Sequence, residues 1–145
     1  MTSRYFFILL LVFSTVESHS SPLLQVKRGL AQLECSALSS VLEKDNYTQF
    51  LLNGVSNLRT GLSAAVSDEL SEKEKGEFIR IFEIYELGLT IDIIVGAIWA
   101  STNKSIQETL PKPDWNIHTF DSWKSLQQKK ATQEYIKRNC EILTK

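Results

Sequence analysis

The fold of this chain is set by the stretch 22-PLLQVKRGLAQLECSALSSVLEK-44, in which apolar residues recur at the period of an α-helix. Pro22 suits a first helical turn, because the amide hydrogen that proline lacks has no partner there. The stretch predicts helix one at about 22–44, with one wide apolar face that other helices must cover. That face consists of Leu23, Val26, Leu30, Leu33, Ala37, Leu38, Val41 and Leu42.

Two more helices follow after short connections. Apolar residues spaced by four and three predict helix two at about 47–66, behind a cap at Asp45 or Asn46. The sequence 71-SEKE-74 is a capping box, in which the serine accepts from amides of the first turn and the second glutamate reaches back. It predicts the start of helix three, at about 72–101, which is apolar around most of its circumference and is expected to be the central helix.

A longer connection, 102–116, contains Pro111 and Pro113 and precedes helix four, predicted at about 119–143. Residues 127–134 of that helix are polar nearly all round, which indicates either a solvated stretch or a face used by a partner. Short connections favour antiparallel neighbours. The sequence therefore predicts an all-α fold: a single four-helix bundle of up-down-up-down order with a long third connection.

Residues 1–18 have the pattern of a secretory signal peptide. One arginine is followed by the apolar run 5-YFFILLLVF-13 and then by small residues. The run is too short to span a bilayer, so we expect cleavage after Ser18, or after Ser20 as a second choice, and a helical domain over 19–145. An uncleaved membrane anchor is the alternative.

Export determines the chemistry of the two cysteines, Cys35 and Cys140. In an oxidising compartment an even pair has one intramolecular connectivity, which predicts a disulfide between the first and last helices. Closing a loop of this length would stabilise the fold by about 4 kcal/mol in the chain-entropy model. Two free thiols or an intermolecular link are the alternatives.

Two N-glycosylation sequons, 46-NYT-48 and 103-NKS-105, lie in the exported part. Sequons are frequent by chance, but in an exported chain and at predicted helix ends we expect glycans on Asn46 and Asn103. In up-down order both asparagines lie at the same end of the bundle. A surface elsewhere is then expected to make the functional contact.

Charge excludes some classes of partner. The chain has 16 Lys and Arg against 17 Asp and Glu, and its net charge is −1. Binding to nucleic acid or to an anionic membrane surface needs one dominant sign of charge. We therefore expect no nucleic-acid partner and, once the leader is removed, no membrane span.

Two acids, Glu34 and Asp92, project from the apolar faces of predicted helices one and three. A buried carboxylate must be hydrogen-bonded or paired to offset its desolvation. We interpret both as buried structural acids. A role in partner binding, general acid–base chemistry or a carboxylate metal site is the alternative. One of the two histidines, His19, lies at the predicted cleavage site of the leader, so only His118 remains to assist such chemistry. We therefore expect no cofactor or metal.

Glycines fall in pairs on two predicted helices, Gly54 with Gly61 and Gly88 with Gly96. A helical glycine costs about 1 kcal/mol against alanine unless close packing compensates. The pairs predict tight helix contacts, with a bundle soft enough to open around a ligand as the alternative.

Three tryptophans, Trp99, Trp115 and Trp123, surround the third connection. Such a group is typical of core closure beneath a long loop. An exposed aromatic patch would instead mark a recognition site.

These features favour a secreted helical glycoprotein that acts by binding an extracellular protein partner, as a signal or a modulator. The general pattern is similar to that of short-chain helical cytokines. Those bundles have long crossover connections, however, whereas the first connection here is short. The alternative function is a carrier that holds a small apolar ligand between the helices. An enzyme is not expected, because no catalytic motif is present.

Overall fold

Helices make up all the regular secondary structure in the part of the chain that the computed structural model describes, residues 21–67, 70–76 and 88–143. They are α1 (Pro22–Val41), α2 (Tyr47–Val66), α3 (described over 72–76), α4 (Ile91–Thr109) and α5 (Phe120–Lys137). The predicted all-α class is confirmed. The four-helix bundle and its up-down-up-down order stay predictions, and the predicted leader at 1–18 lies outside the described residues.

The closest helix packing is between α1 and α2, where glycines let the two backbones touch. A Cβ added to Gly29 would lie 2.9 Å from the carbonyl oxygen of Gly54, and one added to Gly61 would lie 2.7 Å from that of Pro22. Both distances are shorter than van der Waals contact, so a side chain at either position would force the helices apart. The predicted tight contact at Gly54 and Gly61 is confirmed.

The ends of these helices follow local capping chemistry. The Ser21 side chain accepts from the Leu24 amide at 3.2 Å and starts α1. Glu43, with a φ of 54°, lies in the turn after α1, which ends at residue 41 rather than at the predicted 44. The capping box is confirmed, since Glu74 accepts from the Ser71 amide at 3.1 Å while the Ser71 hydroxyl accepts from that of Glu74.

The prediction of one helix over 72–101 is wrong at residues 88–90. Gly88 has a φ of 76°, a left-handed conformation that a continuing right-handed helix does not contain. The Thr90 side chain then accepts from the Ile93 amide at 3.4 Å and caps α4 as a new helix. No described atom lies within 4 Å of a Cβ added to Gly88 or Gly96, so the described residues show no tight contact at that pair.

A disulfide joins α1 to the turn after α5. Cys35 and Cys140 are fully buried, and their Cα atoms lie 5.5 Å apart. The predicted disulfide is confirmed. The predicted end of helix four at 143 is wrong, because α5 ends at Lys137 and Asn139 adopts a φ of 55° in the turn that carries Cys140.

Two apolar clusters form the described core. The first joins α1, α2 and the start of α4, and it contains Val26, Leu33, Leu58, Leu62, Ala65, Leu70, Ile94 and Val95. The second surrounds the disulfide and contains Cys35, Ala37, Leu38, Phe50, Ile106, Leu110, Ala131, Tyr135 and Cys140. Within the described ranges no helix is both long enough and apolar enough to cross a bilayer.

Candidate functional site

The connection between α4 and α5 is irregular because prolines interrupt it. Leu110 is buried and extended, with a ψ of 151°, as expected for a residue that precedes Pro111. At the other end the Thr119 side chain accepts from the Ser122 amide at 3.3 Å and caps α5. Both ends of the connection are therefore fixed by adjoining helices.

A hydrogen-bonded turn gives this connection a defined shape. The carbonyl oxygen of Asp114 accepts from the amides of Ile117 at 3.1 Å and His118 at 2.8 Å. A carboxylate oxygen of Asp114 also accepts from the Asn116 amide at 3.0 Å, which is the bonding of an Asx-turn. The turn holds the side chains on either side of it in place.

Three large apolar side chains are exposed around this turn. Trp115 is 61% exposed, Ile117 75% and Phe120 60%. The rings of Trp115 and Phe120 each lie 5.7 Å from that of half-buried Trp123, centroid to centroid, in edge-on and tilted arrangements. We call Trp115, Ile117 and Phe120 the aromatic surface, with Trp123 as its support.

Trp123 is fixed by its polar end. Its indole Nε1 donates to the carbonyl oxygen of Pro111 at 2.9 Å, and Gln127 donates to the same oxygen at 3.4 Å. A buried indole N–H needs such a partner. The ring that supports the aromatic surface is therefore oriented by the connection itself.

The tryptophans thus have different roles. Trp99 is partly buried and packs against both apolar clusters, as core closure predicts. Trp115 does not follow that prediction, since most of the residue is exposed to solvent. A large exposed aromatic group of this kind is typical of a recognition site.

Glu34 lies at the boundary between α1 and α5. One of its carboxylate oxygens accepts from Arg138 Nε at 3.1 Å, and its side chain is 40% exposed. Glu34 is therefore paired with a basic residue, and its side chain is half-buried rather than buried.

Glu134, which sequence reasoning did not single out, is the buried acid of this region. Hydrogen bonds from Lys130 and then from Arg138 lower the pKa of Glu134 below its ordinary value, because they stabilise the charged carboxylate. The spacing of four residues between Lys130, Glu134 and Arg138 was the signal that could have identified it. Through Arg138, which also pairs with Glu34, the cluster joins α5 to α1.

The prediction that Asp92 is a buried acid is wrong. Its side chain is 71% exposed, and it accepts from Arg59 Nε at 2.8 Å. The helix break at 88–90 is the cause, because it places Asp92 in the first turn of α4, where a negative charge is favoured by the helix dipole. Asp92 and Arg59 also line an open cleft of about 720 Å³ between α2 and the start of α4.

The two sequon asparagines have different surroundings. Asn46 is at the N-cap position of α2, yet it makes no capping bond and its Nδ2 donates instead to the Tyr135 hydroxyl at 3.1 Å. Asn103 is half-buried on α4, with Lys104 and Ser105 exposed beside it. Glycosylation at both asparagines stays a prediction.

Comparisons with known proteins do not identify this chain. No protein-family model, curated protein or solved structure matches it. Among the described residues no group of three or more histidine, cysteine or acidic side chains is arranged to hold a metal. Function is therefore inferred from the described surface.

Proposed function

We propose that this chain is a secreted helical glycoprotein that acts by binding an extracellular protein partner, and that the aromatic surface is the centre of the binding site. The observation that carries the proposal is the exposure of Trp115, Ile117 and Phe120 on a turn fixed by hydrogen bonds. Exposing such side chains to water is unfavourable by roughly 25 cal/mol per Å². Burial against a partner would recover that free energy.

The rigidity of the turn supports binding as well. Affinity is reduced when a loop must be ordered on association. The Asp114 turn, the Thr119 cap and the Trp123 hydrogen bond order this connection before a partner arrives. Tryptophan and other aromatic residues are also enriched at the energetic centres of protein interfaces.

Secretion is supported by two features. The buried Cys35–Cys140 disulfide suits an oxidising compartment, because cytosolic thiols are kept reduced. Residues 1–18 have the pattern of a cleaved leader, which gives a mature domain over 19–145. The proposal includes glycans on Asn46 and Asn103 and an up-down-up-down order for the bundle.

A carrier of a small apolar ligand is the second candidate. The cleft beside Arg59 and Asp92 has the volume of a small-molecule site, and Leu89 and Ile91 give it an apolar wall. Native mass spectrometry of the secreted protein separates the two functions. A copurifying small molecule favours the carrier, and a ligand-free protein that binds a protein partner favours the binder.

The test of the proposed function uses matched pairs of substitutions. Trp115→Ala/Phe120→Ala removes the rings of the aromatic surface, whereas Leu52→Ala/Ile93→Ala removes two other large side chains that are 61% and 53% exposed. Labelled, secreted protein is titrated on cells of the source organism. We expect the first variant to bind at least about a hundredfold more weakly, since hot-spot truncations cost about 2 kcal/mol or more each.

The Leu52→Ala/Ile93→Ala variant is expected to bind like the unmodified protein. Equal loss of binding in both variants, or normal binding by the first, would overturn the assignment of the site. Retention of the chain in the cytosol, with both thiols reactive, would overturn secretion.

A further inference from the structure

Two acidic side chains flank the aromatic surface. Asp114 immediately precedes Trp115, and Asp121 immediately follows Phe120. Both are exposed. Within the described residues neither carboxylate forms an ion pair, and the carboxylate of Asp114 accepts one hydrogen bond, from the Asn116 amide, through a single oxygen.

The basic side chains of the same region do not balance these acids. Lys124 Nζ is bound to a carboxylate oxygen of Glu43 at 2.6 Å, so its charge is already compensated. Lys112 is exposed, and no ion pair is found for it among the described residues. Among the described residues around the aromatic surface, two carboxylates and one ammonium group therefore have no ion-pair partner.

Resting on the proposed function, we propose that the partner presents to the aromatic surface a segment in which an arginine or lysine lies next to an apolar side chain. The apolar side chain would pack on Ile117 and Phe120. The cation would pair with Asp114 or Asp121, or lie over the face of Trp115.

Three physical effects favour that chemistry. A cation is attracted to the face of an indole ring, and Trp115 is 61% exposed. Charge-assisted hydrogen bonds to free carboxylates are stronger than neutral ones. A partner edged with acidic residues would instead meet like charge, and such juxtapositions are avoided at interfaces.

A random peptide library displayed on phage, selected on the oxidised full-length secreted protein, is the probe. We expect the selected peptides to be enriched, relative to the starting library, in Arg or Lys adjacent to a large apolar residue. One selected peptide is then synthesised, and its affinity is measured by fluorescence anisotropy against the protein and its variants at two salt concentrations.

The variants separate charge from apolar contact. Asp114→Asn/Asp121→Asn keeps an oxygen that can accept from the Asn116 amide but removes both charges. We expect it to weaken peptide binding by about tenfold at low salt and to remove most of the salt dependence. Trp115→Ala/Phe120→Ala is expected to abolish binding, while Leu52→Ala/Ile93→Ala leaves it unchanged, and thermal unfolding of each variant reports whether it is folded.

Other outcomes would overturn the inference in distinguishable ways. Selected peptides that need Trp115 and Phe120 but are neutral or acidic would contradict the partner chemistry and leave the aromatic surface as a binding site. Peptides that bind equally to Trp115→Ala/Phe120→Ala, or no enrichment at all, would contradict both the partner chemistry and the proposed site.

Discussion

The α1–α2 pair and α5 are held in the same protein by different forces. α1 buries nine residues, and its contact with α2 depends on glycines where the backbones touch. α5 buries only three residues, Ala131, Glu134 and Tyr135, so apolar packing contributes much less to its position. A disulfide, an ion-pair cluster and one side-chain hydrogen bond supply the rest.

The difference explains where the aromatic surface lies. A helix that packs against others on most sides, as α1 does, leaves little surface for a partner. α5 is polar over most of its length and is joined covalently at its far end, so its N-terminal turn and the preceding connection can expose Phe120 and Trp115. We infer that shape complementarity stabilises the α1–α2 pair, and that the covalent link keeps α5 in place.

Removal of the disulfide should change the free energy of unfolding more than any other substitution proposed below. Cys35→Ala/Cys140→Ala opens a link between residues 105 apart in sequence. The free energy of unfolding should fall by about 4 kcal/mol, measured by urea denaturation, because the unfolded chain gains the entropy of an open loop. A change below about 1 kcal/mol would show that α5 is held mainly by non-covalent contacts.

A methyl group added to the α1–α2 contact should have the next largest effect. Gly29→Ala places a Cβ against the Gly54 carbonyl oxygen and the Leu58 amide, so the helices must move apart and stability should fall by about 3 kcal/mol. Gly96→Ala is the control, because its Cβ meets no described atom and alanine is the better helix former. Urea denaturation should show opposite signs for the two variants, and equal shifts would contradict the glycine-mediated contact.

The hydrogen bond between α2 and α5 should contribute less. Tyr135→Phe leaves Nδ2 of Asn46 without its acceptor and should cost about 1 kcal/mol of unfolding free energy. Tyr47→Phe makes the same chemical change on a more exposed ring and should stay within about 0.5 kcal/mol of the unmodified protein. Equal losses in the two variants would show that the bond between Asn46 and Tyr135 does not help to hold α5 in place.

The smallest effect should be a dependence on pH. Because the pKa of Glu134 is lowered below its ordinary value of 4.5, its contribution is present above pH about 4.5 and is lost as the pH falls through the folded-state pKa. Glu134→Gln should therefore be about 0.5 kcal/mol less stable than the unmodified protein at pH 7, and this difference should shrink as the pH is lowered below 4.5. A difference that stays constant as the pH is lowered below 4.5 would show that the charge of Glu134 is not the cause.

The predictions from sequence were correct where a feature is set by residues close together in the chain or by a simple residue count. The bounds of α2, the start of α1, the Ser71 capping box and the disulfide follow from apolar spacing, caps and cysteine count. The break at Gly88 was missed because the apolar pattern continues through it, and glycine alone does not reveal whether its φ is positive. The error at Asp92 followed directly from that break.

The candidate site was harder to predict than the helices. Three tryptophans around one loop indicate either core closure or an exposed patch. The structure shows both, since Trp99 packs against the core and Trp115 is exposed. Trp115 is exposed because it lies on the Asp114 turn. The geometry of that turn depends on backbone angles that the spacing of apolar residues does not reveal.

Amide hydrogen exchange on the oxidised protein and on Cys35→Ala/Cys140→Ala tests most directly whether the two regions are held differently. We predict that amides of 29–62, in the α1–α2 pair, remain the best protected without the disulfide, while those of 120–137 lose their protection. Loss of protection to the same extent in both regions, or an α5 as well protected as before, would contradict that account.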